Sequence, residues 1–529
     1  MLDIVIKNAA VIDGSGAEAV VSDVGVKGDL IAGMGRIPNR EAVVSIDADG
    51  LTLCPGFIDV HSHSDFNILA ELSGASKVRQ GVTTEVCGNC GLSAVPLSGP
   101  YRQQREKDMQ TLGVTIGWSD LKTYCRVVQQ KGLLVNIVPL IGHGNLRGAV
   151  MGYAGRPAFA AETNEMQELL KRELAAGAWG LSSGLIYPPG VYAEKEELIA
   201  LNRVVKAFRG IYTTHMRSEG DGLLEALDEA LFTAEAAGVP VQISHLKTLG
   251  EKNWQKLPAV FKKIEQAQKR GVRVTADRYP YVASSTGLDA LLPAWACADG
   301  TRAEIARIKS ADHRKKIFAE VLTHYTEKEL SETVLISRVV SEKNRKFEGR
   351  FMGETARIRG QALKEAFFDI LIEEDLAVDA IFFSMNEKNL KQILLKEYVM
   401  PGSDAAVWGT EGPLAAGHPH PRAFGTFPRF LQKYALQEHL FSLAKAVHKM
   451  TALPAQTFGL RDRGFIRKGF KADMVMFDPQ RLFDKSTYAT PHQYPEGIAG
   501  VMVNGKWVVD RGAVTGARPG KVLLKTRDI

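Results

Sequence analysis

Histidines, a cysteine and an aspartate at strand-like spacings are the residues of this sequence most able to do chemistry. His61 and His63 form "HSHSD" directly after the apolar run "GFIDV". Side chains alternate along a strand with a period of two, so both imidazoles point the same way and can chelate one ion. Cys90 closes "CGNC" after "GVTTEV", His215 ends "GIYTTH", His245 ends "VPVQISH", and Asp404 ends "YVMPGSD". His, Cys and Asp together suit zinc, a borderline-soft cation. A lone histidine after a strand is more often a packed core residue. Four of them with a cysteine and an aspartate, each following its own apolar run or paired as HxH, point to a metal centre. Spacing alone leaves Cys87 and Cys90 open as a redox pair, half a zinc ribbon or a packing feature. A redox pair would want both sulfurs at a helix N-terminus, and a ribbon would want a second CxxC, which this sequence lacks. His143 in "IGHGN" is a candidate to line a pocket, whereas His418 and His420 in "GHPHPR" read as loop packing.

These residues need a scaffold that brings strand ends together. Between residues 57 and 404 short apolar runs alternate with amphipathic stretches such as "NEMQELLKRELAAG" and "LLEALDEALFTAEAAG". Alternating βα units imply a parallel sheet with helices outside. Eight candidate strands ("GFIDVHSH", "GVTTEVCG", "LLVNIVPLIGHG", "AWGLSSGL", "GIYTTHMR", "VPVQISHL", "VRVTADRYP" and "YVMPGSD") imply a distorted (β/α)8 TIM barrel. In such a barrel every C-terminal strand end faces one site, so residues far apart in sequence become neighbours. The two chain ends differ from this middle: "DIVIKNAAVI" and "GVMVNGKWVVDRG" read as short strands with tight turns, and "VNGK" is a two-residue hairpin signal. The expected organisation is an α/β chain: a small β-sandwich-like domain from residues 1–56 and 460–529, a catalytic barrel from 57–285 and 346–459, and a charged, helix-rich insertion over 286–345 that could serve as a lid.

The composition narrows the function class. The 529 residues are 45% hydrophobic and 24% charged, with a mean hydropathy of −0.09, as in a globular protein. A net charge of +6 with no dense Lys/Arg stripe gives no support for a nucleic-acid partner. No apolar run approaches the length that spans a bilayer, so no membrane role is expected. Five scattered cysteines, an odd number, do not make a disulfide framework. "MLDIVIKNAAVIDGSG" lacks the charged and apolar regions of a secretion signal. A reducing, cytoplasmic setting follows as the expectation.

The pieces "PGFIDVHSHSD", "GSD" at 402–404 and "ADMVMFDP", with the strand-end His215 and His245, resemble the amidohydrolase superfamily. Five further stretches resemble its N-acyl-D-amino-acid deacylase (D-aminoacylase) branch: "GVTTEVCGNCGLSAVPL", "GHGNLRGAVMGYAGRPA", "GLSSGLIYPPGVYA", "DRYPYVASST" and "HPHPRAFGTFPRFL". Many superfamily members bridge two metals with a carboxylated lysine from strand four, and "GAWGLSSGL" offers none. The resemblance implies that Cys90, His215 and His245 hold one zinc ion tightly, with a second, weak or vacant site at His61, His63 and Asp404. It implies further that Lys247, Tyr279, Ser285 and Arg422 hold a small-molecule N-acyl-D-amino acid. Asp404 would then act as general base and general acid in amide hydrolysis. Relatives acting on acidic D-amino acids place an arginine near the "LP" where this chain has Trp295, which favours apolar side chains. Two departures bear on specificity: Arg278 stands where relatives carry a small or apolar residue, and the stretch from Asp404 to "HPHPR" is longer than in relatives. A cyclic-amide hydrolase of the hydantoinase or dihydroorotase kind is the alternative enzyme. An inactive barrel acting as a binding protein is the alternative outside catalysis.

Overall fold

In the computed structural model, residues 1–70 and 74–526 are described. The two chain ends form one sheet. Its strand order is Ala513–Val514, Lys506–Asp510, Ile498–Val503, Met474–Phe477, Thr52–Pro55, Leu2–Val11, Val20–Lys27 and Leu30–Gly35, with Ala42–Asp47 also on Leu2–Val11. The seam between the ends is the antiparallel pair Met474–Phe477 and Thr52–Pro55. The "VNGK" turn places Asn504 at φ 46° and Gly505 at φ 76°, and Val503 pairs with Lys506. Two left-handed residues match the twist of the flanking strands. Ile6, Val24, Leu53, Met474 and Met502 bury one face of the sheet.

Among the described residues, eight parallel strands form the barrel: β1 (Phe57–Asp59), β2 (Val82–Cys87), β3 (Asn136–Pro139, continued by Ile141–Gly142), β4 (Gly180–Gly184), β5 (Ile211–His215), β6 (Val241–Ile243), β7 (Val274–Arg278) and β8 (Val399–Pro401). Strands β1–β3 pair in order, and Ile141–Gly142 carries the ladder to β4 and on through β8. The barrel closes where Asp404 N donates to His61 O (2.8 Å) and His63 N to Ala405 O (3.2 Å). Strand residues are buried almost throughout, as expected when helices cover a parallel sheet. Outside lie helices such as Ala160–Ala175, Lys195–Ala207, Leu223–Ala237 and Leu257–Lys269. Leu223, Leu227, Leu231, Val260 and Ile264 pack inward against the strands.

After β7 an inserted unit builds its own layer. Val334–Arg338 and Ser284–Gly287 both pair antiparallel with Asp379–Phe382. Helices Thr301–Lys309, Ala311–His324 and Leu363–Glu373 cover that sheet, and their shared core runs from Leu288 to Phe382. The insertion therefore extends past residue 345, where the charged stretch ends in the sequence. Its middle strand is the last in chain order, and a local reading cannot see that pairing.

Candidate active site

The strand ends deliver their polar side chains to one buried cluster. His61 Nε2 lies 3.2 Å from Cys90 Sγ and 3.2 Å from Asp404 Oδ1, and Cys90 Sγ lies 3.6 Å from His245 Nε2. His215 Nδ1 sits 2.9 Å from His245 Nε2, and His63 Nε2 is 3.1 Å from Asp404 Oδ1. Ligand atoms of His61, Cys90, His245 and Asp404 all lie within 4.8 Å of one another. Two imidazoles, a thiol and a carboxylate bring their ligand atoms this close together, which fits a shared cation better than any pattern of hydrogen bonds among them. Cys90, His245 and Asp404 each adopt a left-handed backbone, with φ of 53°, 36° and 50°. Left-handed non-glycine residues persist where the surroundings over-determine them, and they gather at functional sites.

Charges in the cluster follow. Burial pushes the Cys90 thiol up, but His61 and the bonds from His215 and His245 outweigh it and hold the group well below an ordinary thiol. Burial likewise opposes ionisation of Asp404, and Arg422 and His61 overcome it. Both shifts favour the anionic forms, which are the forms that bind metal. Cys87, three residues earlier, is buried in an apolar cluster with Leu97, Ile137 and Ile141, and its thiol is pushed up. Five cysteines are free.

Around the cluster lies a set of cations. Arg422, the first residue of helix Arg422–Arg429, pairs with Asp404 Oδ2 at 2.7 Å and donates to Ser285 O at 3.1 Å. Its guanidinium lies 4.6 Å from the Tyr279 ring centroid, and that of Arg278 lies at 4.1 Å. Tyr279 is buried, and among the described residues its hydroxyl has no hydrogen-bond partner. Burial raises that phenol, but Lys247, Arg278 and Arg422 together bring it below the usual value. Lys247 is tied to Glu219 and also donates to His245 O (3.0 Å). Ser285 meets Arg422 through its carbonyl, from the inserted unit.

Other sequence candidates fall elsewhere. His143 is fully buried and bonded to Glu197 (2.6 Å), which also pairs with Arg147, so it belongs to a packed ion network. His420 bonds Ala283 O (2.9 Å) and accepts from Arg422 N (3.0 Å), which sets the start of that helix. Trp295 gives its indole N–H to Glu320 (2.9 Å) and faces Lys316 inside the inserted unit. Two residues escaped the sequence reading. Asp277 on β7 accepts from His61 Nδ1 (3.0 Å), His245 N (2.9 Å) and Gln242 (2.8 Å). Glu219 takes His245 Nδ1 at 2.7 Å. Carboxylates of this kind fix the tautomer of a metal-binding imidazole. The signals were faint: Asp277 ends a strand as the ligands do, and Glu219 lies four residues beyond His215.

Residues 45–509 match the amidohydrolase family. The chain belongs to that family. Within it the chain lies in the N-acyl-D-amino-acid deacylase branch. It is 34% identical to D-aminoacylase of Alcaligenes xylosoxydans xylosoxydans over 99% of this chain and 98% of that one. It is also 34% identical to N-acyl-D-aspartate deacylase of the same organism, over 98% and 95%. The crystal structure of N-acyl-D-glutamate deacylase from Bordetella bronchiseptica, complexed with zinc and a phosphonate mimic of the tetrahedral intermediate, superposes with a TM-score of 0.83 at 33% identity, covering 99% of both chains. As a member of this branch the amidohydrolase described here is a hydrolytic enzyme on a TIM-barrel scaffold. No helix of the described residues is long and apolar enough to cross a membrane.

Proposed function

We propose that this amidohydrolase cleaves the amide bond of N-acyl-D-amino acids, releasing a carboxylate and a free D-amino acid. The observation that carries the reading is the convergence of Cys90, His61, His245 and Asp404 at the C-terminal mouth of the barrel, with Arg422 forked between Asp404 and the Ser285 carbonyl. Cys90, His215 and His245 would hold one zinc ion tightly, and His61, His63 and Asp404 would form a second, weaker site. Zinc bound there supplies Lewis acidity and lowers the pKa of water to about 7. The chain's own residues do the rest. Asp404 takes a proton from the attacking water and returns it to the amine, which leaves poorly unless protonated. Arg422 suits a planar α-carboxylate, because its fork donates bidentately. On binding, that carboxylate replaces Asp404 on the guanidinium and frees Asp404 for proton transfer. Lys247, Tyr279 and Ser285 complete the clamp. The inserted unit, whose Thr286 hydroxyl bonds Tyr187 beyond β4 (2.9 Å), would cover the mouth as a lid.

Strand β4 carries no lysine, which separates the chain from amidohydrolases that bridge two metals through a carboxylated one. Preference for apolar side chains belongs to this proposal, although Trp295, its sequence basis, is engaged inside the inserted unit. A panel of N-acetyl D- and L-forms of leucine, methionine, phenylalanine, aspartate and glutamate, assayed with zinc, tests every level of the reading. Turnover of D-forms only, lost on chelation, is expected. Turnover of L-forms only, or of hydantoin in their place, would overturn it.

A further inference from the structure

Asp404 must be aimed with care, and its own backbone does not favour where it sits. A left-handed φ of 50° is uncommon outside glycine, so its flanking peptides have to be held from outside. One buried side chain holds them on both sides. Lys77, 1% exposed, precedes the turn Val78–Gln80 that leads into β2. Its ammonium donates to Ser403 Oγ (2.6 Å), the residue before Asp404, and to Ala405 O (2.8 Å), the residue after. The third short bond goes to Asp59 Oδ2 at 2.6 Å on β1. An ammonium has three protons, and these three acceptors use them all. Asp59 secures Ser403 a second time, accepting from its backbone N (2.9 Å) and from its hydroxyl (2.6 Å). Glu85 lies 3.2 Å from the ammonium and takes the hydroxyls of Ser62 (2.6 Å) and Ser64 (2.7 Å), which flank His63.

We infer that Lys77 is a positioning residue for Asp404, acting through Ser403 and Ala405 across the seam that closes the barrel. The inference rests on the reading of Asp404 as the proton-transfer group. Lys77 touches neither the cation clamp nor the substrate side of the cluster. Its loss therefore displaces the proton acceptor while leaving the carboxylate grip intact.

The test is steady-state kinetics on an N-acetyl-D-amino acid with Lys77→Met, Asp404→Asn and the double variant, each checked for folding by circular dichroism. A misplacement of about 1 Å costs on the order of 10²-fold, so Lys77→Met is expected to lower kcat by about that factor. KM should stay within about threefold, since ground-state binding is untouched. In the Asp404→Asn background the same change should cost little more, because residues acting as a unit are not additive. Should Lys77→Met fail to fold, Ser403→Ala removes one link and enters the same cycle, with a drop in kcat of about 10-fold expected, the size of one lost hydrogen bond; an unchanged kcat there would overturn the inference. A folded Lys77→Met enzyme at wild-type kcat, or losses that multiply in the double variant, would overturn the assignment to Lys77 alone. Asp404→Asn at wild-type kcat would instead overturn the reading of Asp404, and this inference with it.

Discussion

Replacing each cysteine of the CxxC in turn separates chemistry from packing. Both thiols are buried, Cys87 at 2% and Cys90 at 5% exposure, so burial does not distinguish them. Cys87→Ala removes one sulfur from an apolar cluster, a loss comparable to a buried methylene, about 1 kcal/mol of stability. Cys90→Ala removes the thiolate that faces His61 at 3.2 Å and His245 at 3.6 Å. Even groups that only orient a metal ligand cost about 10–100-fold in affinity or activity when lost. Removing a ligand itself should exceed the upper end, so kcat/KM is expected to fall by more than about 10²-fold, or about 2.7 kcal/mol. The assay pairs zinc per chain, measured by mass spectrometry after gel filtration, with kcat/KM on N-acetyl-D-methionine. Cys87→Ala should keep zinc and most of the rate, with a small fall in Tm. Cys90→Ser adds an arm of nearly equal volume: a hydroxyl fills the space but binds zinc poorly. Equal losses at the two positions, or full zinc in Cys90→Ser, would refute the assignment of the sulfur as a ligand.

Three further outcomes are expected. Arg422→Lys keeps the charge but loses the fork that spans Asp404 and the Ser285 carbonyl; KM for N-acyl-D-amino acids should rise by about 10–100-fold, and an unchanged KM would remove Arg422 from the clamp. Glu219→Gln weakens the acceptor at His245 Nδ1 and releases Lys247; a competition titration with a chromophoric chelator should show zinc bound about 10-fold more weakly or worse. Glu304, in the inserted unit, has its carboxyl pushed from 4.5 to about 8 by burial and by Asp289. The folded chain therefore keeps a proton that the unfolded chain has released. Its stabilising contribution is full below pH 4.5 and is lost as pH rises through 8. Asp289, raised to about 6, acts in the same direction. Calorimetry should show Tm falling from pH 5 to 8 in the wild type and falling less in Glu304→Gln; identical slopes would refute the account.

The sequence by itself determined much of this protein. Alternation along "DVHSHSD" predicted that His61 and His63 face the same way, and both do reach Asp404 Oδ1; the rhythm of apolar runs and amphipathic stretches carried the barrel, because both signals lie within a few residues of each other. The strand-end positions of Cys90, His215, His245 and Asp404 were legible for the same reason. What the sequence did not carry was which groups surround those residues. Asp277 and Glu219 look like any strand or loop carboxylate until β5, β6 and β7 lie side by side. The inserted unit ends at Phe382 because Asp379–Phe382 pairs with Ser284–Gly287, nearly a hundred residues earlier. Nothing local in "GASKVRQG" marks Lys77 for burial, yet closure of the barrel seals it under Asp404. Local spacing decides where a side chain points. Only the closed tertiary structure decides what it meets there, since burial and charge pairing arise between segments that the chain keeps far apart.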